Sequence, residues 1–187
     1  AEAPLSAGVQ TQAGMLALAK GDRAAARAAF EKALSINDRL VEPLSALVSM
    51  DLNEKKPAQA RARLEQRLVK TPDASTVLAL AGRTWIATGD TAKGEELLRR
   101  AIEADPANLG AYSLLGGVYL SQKKPDQAVE EYDRIAARQP GAVGDEDRVK
   151  RLAQLGQRVG PANHDVVLDL HAGLHQPGDL VLDDLFG

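Results

Sequence analysis

Apolar residues recur three and four positions apart along most of the chain, and the pattern restarts every 34 residues. Leu78, Ala81, Gly82 and Trp85 form one stripe; Tyr112, Leu115, Gly116 and Tyr119 are its copy one period later. That spacing puts four side chains on one face of an α-helix. A second stripe follows in each period. Ala26, Ala60 and Ala128 share one of its slots, with Gly94 in the third copy, and Phe30, Leu64, Leu98 and Tyr132 share the next. Each period therefore predicts two helices of about 13 residues, an ordinary length, joined by a tight turn. Small residues in the shared slots let the paired helices approach, so a large side chain at Gly82 or Ala128 is expected to overpack the seam by about 1–3 kcal/mol.

The breaks between helices repeat as well. Gly21-Asp22 and Gly89-Asp90 occupy one turn slot, and Lys-Lys-Pro occupies it at residues 55–57 and 123–125. A glycine there closes the first helix in a left-handed conformation, and the following Asp caps the second. Pro57 and Pro125 suit the first helical position, where a missing N–H costs nothing. Pro72, Pro106 and Pro140 stop the second helices, with Asp38 in the same slot of the first period. A fixed period of this length marks a stacked helical array. Four frames run without a gap after a lead-in at 1–6: 7–40, 41–74, 75–108 and 109–142.

These residues carry a family resemblance. The array resembles tetratricopeptide repeats, in which a large apolar residue, Leu-Gly and an aromatic precede Ala, an aromatic or Leu, Ala and Pro. Frames 75–108 and 109–142 match best. Frame 41–74 departs, with Val48 in the small slot, Asp51 in the aromatic slot and Arg67 where a small residue is usual; Ala17 and Ile135 are further departures. The resemblance implies an all-α fold, a right-handed superhelical solenoid of antiparallel helix pairs, meeting its partners with a concave groove lined by the first helices. Carried over slot by slot, it assigns that groove to Thr11, Met15, Glu42, Ser45, Ser49, Asn53, Thr76, Ala79, Arg83, Ser113, Gly117 and Ser121, with Leu18, Leu52, Ile86 and Leu120 shared between groove and packing. Relatives that clamp a peptide carboxylate do so with Lys and Asn rows. Thr11 and Met15 stand in those slots here, which argues against such a clamp.

Beyond Pro140 the frame breaks. Residues 143–160 read as a polar insert and a capping helix, in which Leu152, Leu155, Gly156 and Val159 restate the first-helix stripe. Residues 161–187 read as an irregular or partly helical tail, ending in the acidic-apolar run DLVLDDLF.

Composition narrows the chemistry. The 187 residues contain 3% aromatics, 23 Lys and Arg against 26 Asp and Glu, and a net charge of −3, with the signs interspersed. No basic face is present of the kind nucleic acid requires, and no stretch is apolar for long enough to span a membrane. With no Cys there is no disulfide, thiolate ligand or thiol nucleophile. No glycine-rich phosphate loop occurs, so neither an enzyme nor a cofactor is expected. His171 and His175 are the only metal-like pair. Gly173 between them weakens the helix their spacing needs by about 1 kcal/mol, and no metal site is expected.

The sequence thus reads as a non-catalytic scaffold holding a protein or peptide segment in its groove. The alternative is a self-associating structural subunit of a bacterial envelope or export assembly, a homo-oligomer whose tail docks in its own or a neighbouring groove. The Ala1 start fits a processed N-terminus or a cut within a longer array, and tilts the expected compartment toward the periplasm.

Overall fold

A computed structural model describes residues 6–138. The eight helices of this stretch keep the 34-residue period to the residue. The first helices are α1 (Ala7–Ala19), α3 (Val41–Asn53), α5 (Ser75–Ala87) and α7 (Leu109–Ser121). The second helices are α2 (Arg23–Ile36), α4 (Pro57–Lys70), α6 (Thr91–Ala104) and α8 (Pro125–Arg138). The chain forms two compact units, divided between Pro106 and Ala107. The first holds three helix pairs, α1–α2, α3–α4 and α5–α6; the described part of the second holds α7–α8. The predicted insert, capping helix and tail at 143–187, with His171 and His175, lie outside the described residues.

Each intra-pair turn is built the same way. After α1, the amide of Gly21 bonds the Leu18 carbonyl at 2.9 Å and that of Asp22 bonds Ala17 at 2.9 Å. The same two bonds recur at Lys55 and Lys56, at Gly89 and Asp90, and at Lys123 and Lys124. This double closure needs a left-handed residue in its middle. Gly21 and Gly89 take it at φ 78° and 92°, and Lys55 and Lys123 take it at φ 58°. Asp22 and Asp90 then accept from the amides of Ala25 and Lys93, capping α2 and α6. Pro57 and Pro125 open α4 and α8.

Within the first unit the core is mostly aliphatic, with two buried aromatics, Phe30 and Trp85. Ala26 and Phe30 of α2 pack against Leu47 and Met50 of α3, flanked by Ala17, Leu18, Leu34 and Ala46. Full burial of each Leu or Phe contributes about 2–3 kcal/mol. The α5–α6 pair packs tightly. A Cβ at Gly82 would stand 2.8 Å from Leu98 Cγ and 3.0 Å from the Gly94 carbonyl oxygen, so the backbones meet where the sequence places glycine in both helices. Successive pairs are tied by side chains. Arg61 of α4 lies over the Trp85 ring at 5.3 Å and donates from Nε to Thr88 Oγ1 at 2.8 Å. The first helices also touch one another, α1 against α3 and α3 against α5, which sets the three side by side.

In the second unit Ala111, Tyr112, Leu115, Val118 and Tyr119 of α7 are buried, as is Ala128 of α8. Asn108 accepts from the Ala111 amide at 3.1 Å and caps α7.

Candidate functional site

Where α1 and α3 run side by side, their residues border a half-open cavity of about 430 Å³. Met15 and Leu18 reach it from α1, and Arg23 from the start of α2. Glu42, Ser45, Ala46, Ser49, Met50 and Asn53 reach it from α3, with Glu54 beyond its end. The helical repeat explains the α3 set, since residues three, four and seven apart share a face. A cavity of this size suits one or two side chains of a ligand.

The lining combines an adaptable apolar floor with polar groups. Met15 and Met50 are the only two methionines in the chain, and both are here. Methionine is unbranched and polarizable, so it moulds to irregular apolar partners. Among the described residues, the side chains of Glu42, Ser45, Ser49 and Asn53 make no hydrogen bond or ion pair, which leaves them available to a ligand.

One wall is fixed by charge. Asp51, fully buried, accepts from Arg27 Nη1 of α2 and from Arg63 Nε of α4, both at 2.7 Å. Arg27 also reaches Glu54 at 3.0 Å, Lys56 reaches the other Glu54 oxygen at 2.7 Å, and Arg63 reaches Glu31 at 3.3 Å. Three acids thus meet three bases across α2, α3 and α4. The hydrogen bond from Lys56, then that from Arg27, holds the Glu54 carboxyl down at about 2. Burial works to lower the Arg27 pKa, but its hydrogen bonds to Asp51 and Glu54 prevail and raise it. Glu54 is therefore a pinned anion at the cavity edge, in contrast to the unengaged Glu42.

The structure brings five of the sequence-predicted groove residues together around this cavity: Met15, Glu42, Ser45, Ser49 and Asn53. Thr11 is buried, with its hydroxyl donating to the Ala7 carbonyl at 2.9 Å, and Ala79 is buried in α5. Thr76 and Arg83 are exposed on α5, outside the cavity, and Arg83 makes no hydrogen bond or ion pair among the described residues. In the second unit Ser113 is half-buried, Gly117 is buried, and Ser121 is exposed with its hydroxyl donating to the Val118 carbonyl at 2.7 Å. Sequence reasoning missed Arg23, Ala46, Met50 and Glu54. The first and last flank α1 and α3 rather than sit in their groove rows. It noted Asp51 only as a departure from an aromatic slot, which was the available signal for the ion cluster.

Three tetratricopeptide-repeat family models match the chain, at residues 7–39, 51–108 and 86–155. The chain is a tetratricopeptide-repeat protein. The described helices have the all-α solenoid architecture of antiparallel pairs that defines this fold. Among solved structures, that of the MamA protein is 21% identical, covers 94% of this chain and 98% of its own, and superposes with a TM-score of 0.60. A thermophilic tetratricopeptide-repeat protein of Thermus thermophilus is 17% identical over 90% of this chain and 98% of its own, with a TM-score of 0.60. YrrB, described as a tetratricopeptide-repeat protein with an unusual peptide-binding site, is 19% identical over 79% of this chain and 74% of its own, with a TM-score of 0.56. At these identities the likeness is one of fold. No curated protein matches the chain.

Tetratricopeptide-repeat proteins bind protein or peptide partners, and this chain is a protein-interaction scaffold of that general kind. Among the described residues, no helix is long and apolar enough to cross a membrane, and no group of His, Cys, Asp and Glu is placed to hold a metal ion.

Proposed function

We propose that the protein is a non-catalytic scaffold that captures a peptide segment of a partner protein on its first-helix face, with the α1–α3 cavity as the anchoring pocket. The observation that carries this reading is the cavity itself: two methionines on an apolar floor beneath Glu42, Ser45, Ser49 and Asn53, whose side chains are unengaged. A fold gains little from leaving such groups unspent on a half-open surface, whereas a ligand backbone can pair with them. Recognition by apolar anchors on a groove with polar edges is a recurring mode for helical and extended peptides. A fold neighbour that carries a peptide-binding site is compatible with this reading. Exposed and unengaged on α5, Arg83 extends the surface along the first helices and would meet an acidic residue of the segment.

The test uses peptides selected from a random display library against the whole chain. Ser49→Trp fills the cavity from an exposed position and so should leave the melting temperature within about a degree of the parent. Isothermal titration of a selected peptide is expected to show at least a tenfold loss of affinity for this variant, and a smaller loss for Arg83→Glu. A peptide that binds Ser49→Trp as tightly as the parent overturns the assignment of the cavity.

A further inference from the structure

The α1–α3 cavity has unlike ends. Glu42 stands where α3 begins and makes no ion pair among the described residues. No charge comes to the cavity from α1, because Ala7–Ala19 contains no acidic or basic residue. Arg23 and Glu54 line the other end. Arg27, one helical turn beyond Arg23, holds Glu54 at 3.0 Å, which places the start of α2 against the end of α3. Both Glu54 oxygens are spent, one on Arg27 and one on Lys56. The charge left over at this end is therefore that of Arg23, which is exposed and makes no ion pair among the described residues. Its own helix does not call for it: Arg23 is the first residue of α2, where the helix dipole favours an acid over a base. Glu42, in the first turn of α3, does suit its helix dipole, yet no cation answers it.

We propose that the segment captured here has an apolar anchor flanked by charges of opposite sign, a basic residue toward Glu42 and an acidic residue toward Arg23. This selectivity rests on capture in the cavity, as proposed above, and specifies what is captured. Charge complementarity fixes the order along the groove, since the reverse order would set like charges together at both ends. Glu42 and Glu54 are 12 residues apart on and just beyond α3, a rise of about 18 Å. An extended segment covers that distance in about five residues. Met15 and Met50 then receive the anchor between the two charges. The pattern also points to another protein as the source of the segment. Beyond Arg158 this chain has no Lys or Arg, so its own acidic C-terminal run cannot supply the basic residue.

The test uses the full chain and peptides selected against it from a random display library. Selected peptides are expected to carry Lys or Arg on one side of an apolar residue and Asp or Glu on the other. In titration calorimetry at low salt, Glu42→Lys and Arg23→Glu should each weaken such a peptide about three- to tenfold. Replacing the basic residue of the peptide by Glu should restore binding to Glu42→Lys, a rescue that damage to the fold would not permit. These differences should shrink in about 1 M salt. Ser49→Trp separates the two claims. If it weakens binding while the charge reversals and the altered peptide change nothing, the charge pattern is overturned and the cavity stands. Selected peptides that lack the pattern overturn it as well. If Ser49→Trp leaves binding intact, both claims fall.

Discussion

Asp51 shows how one residue can take the place of a core aromatic. Its slot calls for an apolar side chain, and burying a carboxylate alone would cost several kcal/mol. Arg27 and Arg63 reach it from helices on either side, each still about a fifth exposed, so the charge is compensated without burying the guanidinium groups fully. The same cluster sets the behaviour of Glu54. With its pKa lowered from 4.5 to about 2, Glu54 contributes stability that is fully present above pH 4.5 and is lost as the pH falls toward 2. Thermal melts of the parent and Glu54→Gln should differ most at pH 7 and converge as the pH falls from about 4 toward 2. A gap that stays constant across this range would show that the carboxylate charge has no part in it. Asp51→Ala removes the acceptor for both arginines and should destabilise by about 2 kcal/mol, read as a shifted urea midpoint at unchanged slope.

At the scale of elements, one turn geometry is met by two sequences. Glycine adopts the left-handed middle position freely, whereas a lysine there is disfavoured by about 1–2 kcal/mol. Glycine also loses more backbone entropy on folding, which offsets part of that difference. Lys55→Gly is accordingly expected to stabilise the chain by about 0.5–1 kcal/mol in urea titrations. A loss of stability would mean that the Lys55 side chain makes a contribution outweighing its backbone strain. The turn also marks how far the sequence could be read. The period, the helix pairs, the glycine turns with their Asp caps, and the prolines at the first helical position all follow from local chemistry repeated in frame, and all were legible. The left-handed lysines were not, because Lys carries no preference for that conformation; only their alignment with Gly21 and Gly89 pointed to it. Asp51 was visible as an oddity, but its partners lie 24 residues before it and 12 after it, where no local rule reaches. The groove rows were readable by slot, yet burial of Thr11 and Ala79 depends on how closely helices approach, which the spacing of residues does not encode.

At the scale of the whole molecule, the repeats of the first unit make a support on which first helices are set side by side, and the proposed binding surface consists of what they leave unspent. The family match establishes the scaffold. The cavity between α1 and α3 gives that scaffold a specific anchoring point in the proposed reading. Because both methionines of the chain line it, their methyl groups are built-in reporters at the proposed site. The most direct test is a titration of the chain, isotopically labelled at the methionine methyls, with a library-selected peptide, observed by nuclear magnetic resonance. The Met15 and Met50 signals, assigned by single Met→Leu variants, should both move and saturate together at the affinity found by calorimetry. A peptide that binds while both methyl signals stay in place would contradict the account.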